Sequence, residues 1–357
     1  MPRKTLTLTT TTAATATTAA AAALLLLAAT IVLSAPTPRD PADTRDTAVV
    51  SLGDSAMAGE GAGDYTDDTN GANGNWCHRS PHALVHHTAL ATRSFNLACS
   101  GADSANVSLA DTTHNTEGSQ SRRLTALARQ YRVTTVLVQV GANDAPRFAE
   151  TVVSCVLAWL NPFGDGCRED LRETWPARLR EMSPKVETAL RDIRTAMTEA
   201  GYTESDYTLI LLSYASPVTE KIDRFRSAAQ GCPLKPEDAA YGRLEAVPQL
   251  SAALRGAAER ANTRFLDLSR AAEGHEACSQ GDDPTNEWQR RLTITPEALR
   301  DLAQAPQDAV LRAAQQSFHP TARGYAHMAA CTAQFAATTR RTALCVPENN
   351  TLRLADG

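Results

Sequence analysis

The sequence predicts a three-layer α/β/α domain on a flavodoxin-like parallel sheet, and three observations predict it. Short apolar runs alternate with amphipathic stretches from Asp46 onward, which is the pattern of strands covered by helices. Several of those runs stop abruptly at small or polar turn residues. The 357 residues are 43% hydrophobic, enough for a large buried core.

The first strand is expected at residues 47–52 (TAVVSL), apolar on both faces and ending at Gly53. Residues 94–98 give a second strand and residues 134–140 (TTVLVQV) a third that runs into Gly141. Between them, residues 119–132 place Leu124, Leu127 and Ala128 at helical spacing. A long charged helix is expected over residues 176–200, with a stripe of Leu179, Met182, Val186, Leu190 and Ile193. Residues 207–213 and 264–268 supply the fourth and fifth strands. Two stretches interrupt the rhythm, residues 148–175 and 273–316, and excursions of this length at the ligand edge of such a sheet shape the substrate site.

The N-terminus carries Arg3 and Lys4, a Thr/Ala tract, and an apolar run over residues 19–33, which is the layout of a secretory signal. Residues 1–34 are therefore expected to be a signal peptide, 35–46 a Pro-rich linker, 47–345 the folded domain and 346–357 a C-terminal tail. The location implied is extracellular. An uncleaved anchor over residues 13–35 is the alternative, although its first half is only weakly apolar.

All eight cysteines follow this segment, and an even number in an exported chain implies disulfides. Of the possible connectivities, neighbour pairing closes loops of moderate length: Cys77 with Cys99, Cys155 with Cys167, Cys232 with Cys278, and Cys331 with Cys345. A zinc site is not expected, because no closely spaced cysteine pair is present. His78, His82 and His86 recur every four residues, but Pro81 interrupts them. The net charge of −5, without a dense basic run, excludes the electrostatic footprint of a nucleic-acid binder. A monomer is the expectation.

Four short words carry the chemistry: Gly53-Asp54-Ser55, Cys99-Ser100-Gly101, Gly141-Ala142-Asn143-Asp144 and Phe318-His319-Pro320. Ser55, just past a strand end, is the candidate nucleophile, and a serine hydroxyl needs a neighbouring base. His319 is the candidate base. The Ser55 and Gly101 backbone amides and the Asn143 side-chain amide are candidate donors to a developing oxyanion. Asp54 and Asp144 are expected to be structural.

These words resemble blocks I, II, III and V of the SGNH, or GDSL-type, hydrolases, a family of esterases and lipases. The surroundings Asn75-Trp76-Cys77-His78-Arg79-Ser80 and Leu97-Ala98-Cys99-Ser100-Gly101-Ala102 further resemble secreted actinobacterial members, in which the two cysteines are bonded. The resemblance implies Ser55 as nucleophile, an oxyanion hole of Ser55, Gly101 and Asn143, His319 as base, and no metal or organic cofactor. One departure stands out: Gln316 replaces the acid usually found three residues before the histidine. A Ser–His dyad follows, with the Gln316 backbone carbonyl orienting His319, or an acid brought from Asp282 or Asp283. The function implied is a secreted carboxylic-ester hydrolase acting on a small-molecule, lipid or acylated-glycan ester. The alternatives are an O-acetyl esterase on polysaccharide or cell-envelope glycan and a non-catalytic binding descendant of the fold.

Overall fold

The computed structural model describes residues 43–292 and 315–357. The expected signal peptide, most of the linker, and residues 293–314 of the second excursion lie outside the described residues. In chain order the elements are β1 (Thr47–Gly53), α1 (Ser55–Ala58), β2 (Arg93–Asn96), α2 (Ser104–Val107), α3 (Gln120–Gln130), β3 (Arg132–Gln139), α4 (Phe148–Leu160), α5 (Cys167–Glu199), β4 (Thr208–Leu212), α6 (Pro236–Tyr241), α7 (Val247–Arg260), β5 (Arg264–Asp267), α8 (Ala322–Ala336), β6 (Thr342–Glu348) and β7 (Thr351–Ala355). The strands form one sheet in the order β2-β1-β3-β4-β5-β6-β7, parallel except for the β6–β7 pair.

Alternation along the strands creates the three layers. Ala48, Val50 and Leu52 of β1, Val136 and Val138 of β3, and Leu209 and Leu211 of β4 point to one face. There they meet Leu124 of α3, Val186 and Leu190 of α5 and Leu254 of α7. Val49, Leu137, Ile210 and Leu212 point to the other face, against Tyr325, Met328 and Phe335 of α8. A strand buried on both sides reads as a continuous apolar run, and this is why these runs were recognisable.

Two sequence expectations are corrected. Residues 346–357 are not a tail: β6 continues to Glu348, and β7 returns antiparallel to it with Leu352 buried. The turn between them is Asn349-Asn350, with φ of 50° and 58°; two left-handed residues are what a two-residue hairpin turn demands. The long helix begins at Cys167, not at Pro176, and both Pro176 and Pro184 lie inside it. Its extra N-terminal turns are held because Leu171 and Trp175 are buried, and because the Asp238 carboxylate accepts from the amides of Cys167 and Arg168 at 3.1 Å each. This tertiary cap does the work that a local N-cap side chain would otherwise do.

The four disulfides join Cys77 to Cys99, Cys155 to Cys167, Cys232 to Cys278 and Cys331 to Cys345, the neighbour pairing expected. The last one pins α8 to β6 within the core. Among the described residues no helix is long and apolar enough to cross a membrane. Replacing Cys331 and Cys345 together by alanine is expected to lower stability by about 3 kcal/mol, the loop-closure contribution for a link of this span. Guanidinium unfolding of the variant beside the parent protein measures it, and coincident midpoints would show the bond to be thermodynamically idle.

Candidate active site

The site forms at the carboxyl edge of the sheet, where β1 and β3 end side by side. Gly53 is required here: its φ is 142°, and a Cβ on it would lie 2.0 Å from the Gln139 carbonyl oxygen of the neighbouring strand. The Gln120 side chain clamps the same residue, accepting from Gly53 N at 2.7 Å and donating to Gly53 O at 2.9 Å. The chain then turns into α1, whose first residue is Ser55.

The Asp54 carboxylate is occupied by other groups. It caps α1 by accepting from Ala56 N at 3.1 Å, and it accepts from the Tyr214 hydroxyl, which itself accepts from Ala142 N at 3.2 Å. This chain couples the Ser55 turn to the turn after β3. Burial pushes the Asp54 carboxyl up to about 7, against the hydrogen bonds from Tyr214 and Ala56. Asp144 is likewise structural: it accepts from Ser104 Oγ at 2.7 Å and Ser104 N at 3.2 Å, and burial raises its pKa to about 6.

His319 comes from the turn before α8. Its Nε2 lies 2.8 Å from Ser55 Oγ, and its Nδ1 lies 3.0 Å from the Ser317 carbonyl. The orienting carbonyl is therefore that of Ser317, not Gln316. The physical reason is local: Phe318 is left-handed, with φ of 59°, which folds the preceding carbonyl back onto the ring. The turn is braced by Phe318 N donating to Arg290 O and Arg290 N donating to His319 O, both at 2.8 Å. Asp282 and Asp283 are engaged elsewhere, with Arg226 and Gln230 and with Thr285 respectively.

The Ser55 and Gly101 amides have no hydrogen-bond acceptor among the described residues. Asn143 gives one side-chain N–H to the Ala102 carbonyl at 3.0 Å, which fixes the amide and leaves its second N–H for another acceptor. The Ser55–His319 pair thus joins the turn after β1 to the turn before α8, and the Asn143 side chain bridges the turn after β3 to the turn after β2.

A residue the sequence reading passed over lies behind them. Glu60 has no exposed surface, and its carboxylate receives Ser100 Oγ at 2.5 Å, Tyr65 OH at 2.8 Å and His78 Nδ1 at 2.9 Å. Burial opposes its charge, yet the His78 bond, the nearby His319 and the Ser100 bond together hold its pKa below the usual value. The signal was present: a lone acid in the small, apolar run Ala56-Met57-Ala58-Gly59-Glu60-Gly61-Ala62 has no sequence-local cation to pair with. Gly61 follows because a Cβ there would come within 2.8 Å of His319 Cβ. His82 and His86 meet Asp64 and Ser94, so the three regularly spaced histidines do not converge.

From Ser55 and His319 a cleft of about 1290 Å³, part of it open to solvent, runs between α4, α5 and α7. Its walls are almost wholly apolar, with Phe148, Val152, Leu171, Trp175, Leu234 and Leu250 as the large contributors. Phe148 meets the His319 ring edge-on at 6.0 Å between centroids. The first excursion of the sequence therefore forms one wall of this cleft.

Residues 51–327 match the model of the GDSL-like lipase/acylhydrolase family, more than half of the chain. The chain belongs to that family. It is an ester hydrolase, and the match spans all four sequence words. Among solved structures, it is similar to an extracellular lipase from Streptomyces rimosus, at 22% identity and a TM-score of 0.54, with 82% of this chain and 100% of that one covered. A phospholipase A1 from Streptomyces albidoflavus is similar at 21% identity and a TM-score of 0.55, with the same coverage. At these identities the likeness is one of fold. No curated protein sequence matches the chain significantly.

Two substitutions separate the roles of the neighbouring groups in this hydrolase. Gln316→Ala is expected to leave kcat/KM for a soluble ester unchanged, because the carbonyl on the imidazole belongs to the next residue; a collapse would return the orienting role to Gln316. Glu60→Gln removes a buried negative charge that raises the His319 pKa. It is expected to move the acid limb of the pH–rate profile to lower pH, and an unmoved limb would show that the charge does not reach the ring.

Proposed function

We propose that this protein is a secreted serine carboxylic-ester hydrolase that works through an acyl-enzyme on Ser55 with His319 as its base. The observation that carries the proposal is the 2.8 Å contact of His319 Nε2 with Ser55 Oγ at the mouth of an apolar cleft. In this reading the substrate acyl group lies in the cleft, and its carbonyl carbon sits against Ser55 Oγ. As Oγ attacks, its proton passes to Nε2, and the carbonyl oxygen becomes an oxyanion facing the Ser55, Gly101 and Asn143 N–H groups. Each such donor is worth about 2.7–4 kcal/mol of transition-state stabilisation. The imidazolium then protonates the leaving alkoxide, and water repeats the sequence to release the acid and restore Ser55.

A carboxylate on Nδ1 is replaced in this scheme by the Ser317 carbonyl, which fixes the tautomer and orientation but carries no full charge. The dyad is therefore completed by backbone. The apolar walls favour an aliphatic acyl chain over a glycan, whose hydroxyls would find few partners there. Secretion is supported by the four disulfides, which persist in oxidising compartments, and by the composition of the N-terminal segment.

Burial holds the His319 pKa below its ordinary 6.5, with the Glu60 charge and the Ser317 carbonyl pushing the other way. The neutral ring is the base, so kcat/KM is expected to be full at pH 7 and to fall only as the pH drops below 6.5. An acid limb centred above that value would contradict the buried, carbonyl-held imidazole. Ser55→Ala should abolish p-nitrophenyl ester turnover and labelling by a fluorophosphonate, while His319→Ala should cost on the order of 10⁴-fold or more in kcat. Retained turnover in Ser55→Ala rejects the proposal.

A further inference from the structure

The most exposed large apolar side chains among the described residues are Leu157, Leu160, Phe163, Phe225 and Leu244, each 59% or more accessible. They are not scattered, for cross-links bring their segments together around the cleft. Lys235 Nζ donates to the Gly164 carbonyl at 2.5 Å, beside Phe163. Arg224, next to Phe225, pairs with Glu237 of α6; Asp238 of the same helix holds the start of α5. Glu245, next to Leu244, pairs with Arg172 of α5 at 3.1 Å.

At the centre of this rim is α4. Its inner residues Phe148, Val152 and Cys155 line the cleft, while Leu157 and Leu160 face out and Phe163 follows them. A helix this rich in apolar residues is normally surrounded by other apolar groups. Yet of its thirteen residues only Cys155 is buried. The Cys155–Cys167 bond, which ties α4 to the start of α5, holds the helix in this exposed position. Large contiguous apolar patches on soluble proteins mark interaction surfaces.

We infer that this rim, α4 together with residues 161–166, is a docking surface for a zwitterionic phospholipid layer. Two features select that occupant over a protein. The helix that lines the cleft with Phe148, Val152 and Cys155 also carries Leu157 and Leu160, so a lipid seated on it has its acyl chain beside the cleft. The charges around it carry both signs, Arg168 with Glu169, Arg172 with Glu245 and Arg224 with Glu237 as ion pairs and Glu150, Asp165 and Lys235 among them, as at the headgroup depth of a zwitterionic layer. Attachment is by apolar insertion, with anionic lipid dispensable. The delivery of substrate rests on the ester-hydrolase reading above; the docking does not.

The test separates the two. The full chain carrying Ser55→Ala, which cannot consume the vesicles, is floated with phosphatidylcholine vesicles, with and without phosphatidylglycerol. It is then compared with the same protein also carrying Leu157→Ser, Leu160→Ser and Phe163→Ser. These side chains lie outside the cleft and are exposed, so the melting temperature is expected to hold. Binding to phosphatidylcholine alone is expected, with a loss of at least roughly tenfold in the triple variant. On the Ser55 background, the triple variant should keep p-nitrophenyl acetate turnover and lose turnover of vesicle lipid. No binding to phosphatidylcholine, binding only with phosphatidylglycerol, or equal binding by both proteins overturns the inference. So does a dimer of the parent protein that the three substitutions dissociate, since a second copy would then cover the patch.

Discussion

A carboxylate removed from water must be satisfied on every side, and Glu60 is such a group. Its side chain is held by Ser100, immediately before Gly101, and by His78, immediately after Cys77. Its backbone N–H returns to the Ser55 carbonyl at 3.0 Å, and its own carbonyl accepts from Tyr325 of α8 at 2.8 Å. One buried residue thus ties together the Ser55 turn, the Gly101 turn and the helix that follows His319. Breaking any of these contacts would leave a charge or donor unpaired in a low-dielectric interior, which is costly, so the three loops have little freedom to drift apart. The Cys77–Cys99 bond reinforces the same junction covalently.

The Ser55–His319 geometry and the cleft are supported differently. Ser55, His319 and the donors are held by backbone turns and buried polar bonds, which give fixed positions. The cleft is held by apolar contacts of α4, α5 and α7 and by the cap that Asp238 provides to α5. Apolar walls specify size and solvent exclusion without specifying an exact ligand. The first excursion therefore shapes the cleft without holding the turns that carry Ser55 and the neighbouring donors. Phe148 joins the two parts, as it belongs to α4 and touches the His319 ring.

Much of the fold was legible because each buried strand leaves a dense local signal. The runs at 47–52, 134–140 and 207–213 lie almost within the observed β1, β3 and β4 or extend them by a residue or two. The hairpin of β6 and β7 was passed over even though Asn349-Asn350 announces it, because β7 alternates exposed and buried residues and has only five positions. The start of α5 was misplaced because Pro176 looks like a helix beginning, whereas the real cap, Asp238, is 71 residues away from Cys167. Long-range caps leave no mark near the element they end.

Sequence alone determined the residue types at the edge of the sheet: a serine after Gly53, a glycine after Cys99-Ser100, an asparagine after Gly141 and a histidine before the last helix. Those are local facts, set by turn chemistry and strand patterning. Tertiary structure decided which carbonyl holds His319, because that depends on a left-handed Phe318 braced by Arg290. It also decided that Glu60 is a buried acid whose charge acts on His319, and that the apolar excursion forms a cleft wall on one side and exposed apolar side chains on the other. Those outcomes depend on which distant segments share a junction, and contacts between distant segments are fixed only when the sheet closes around its core.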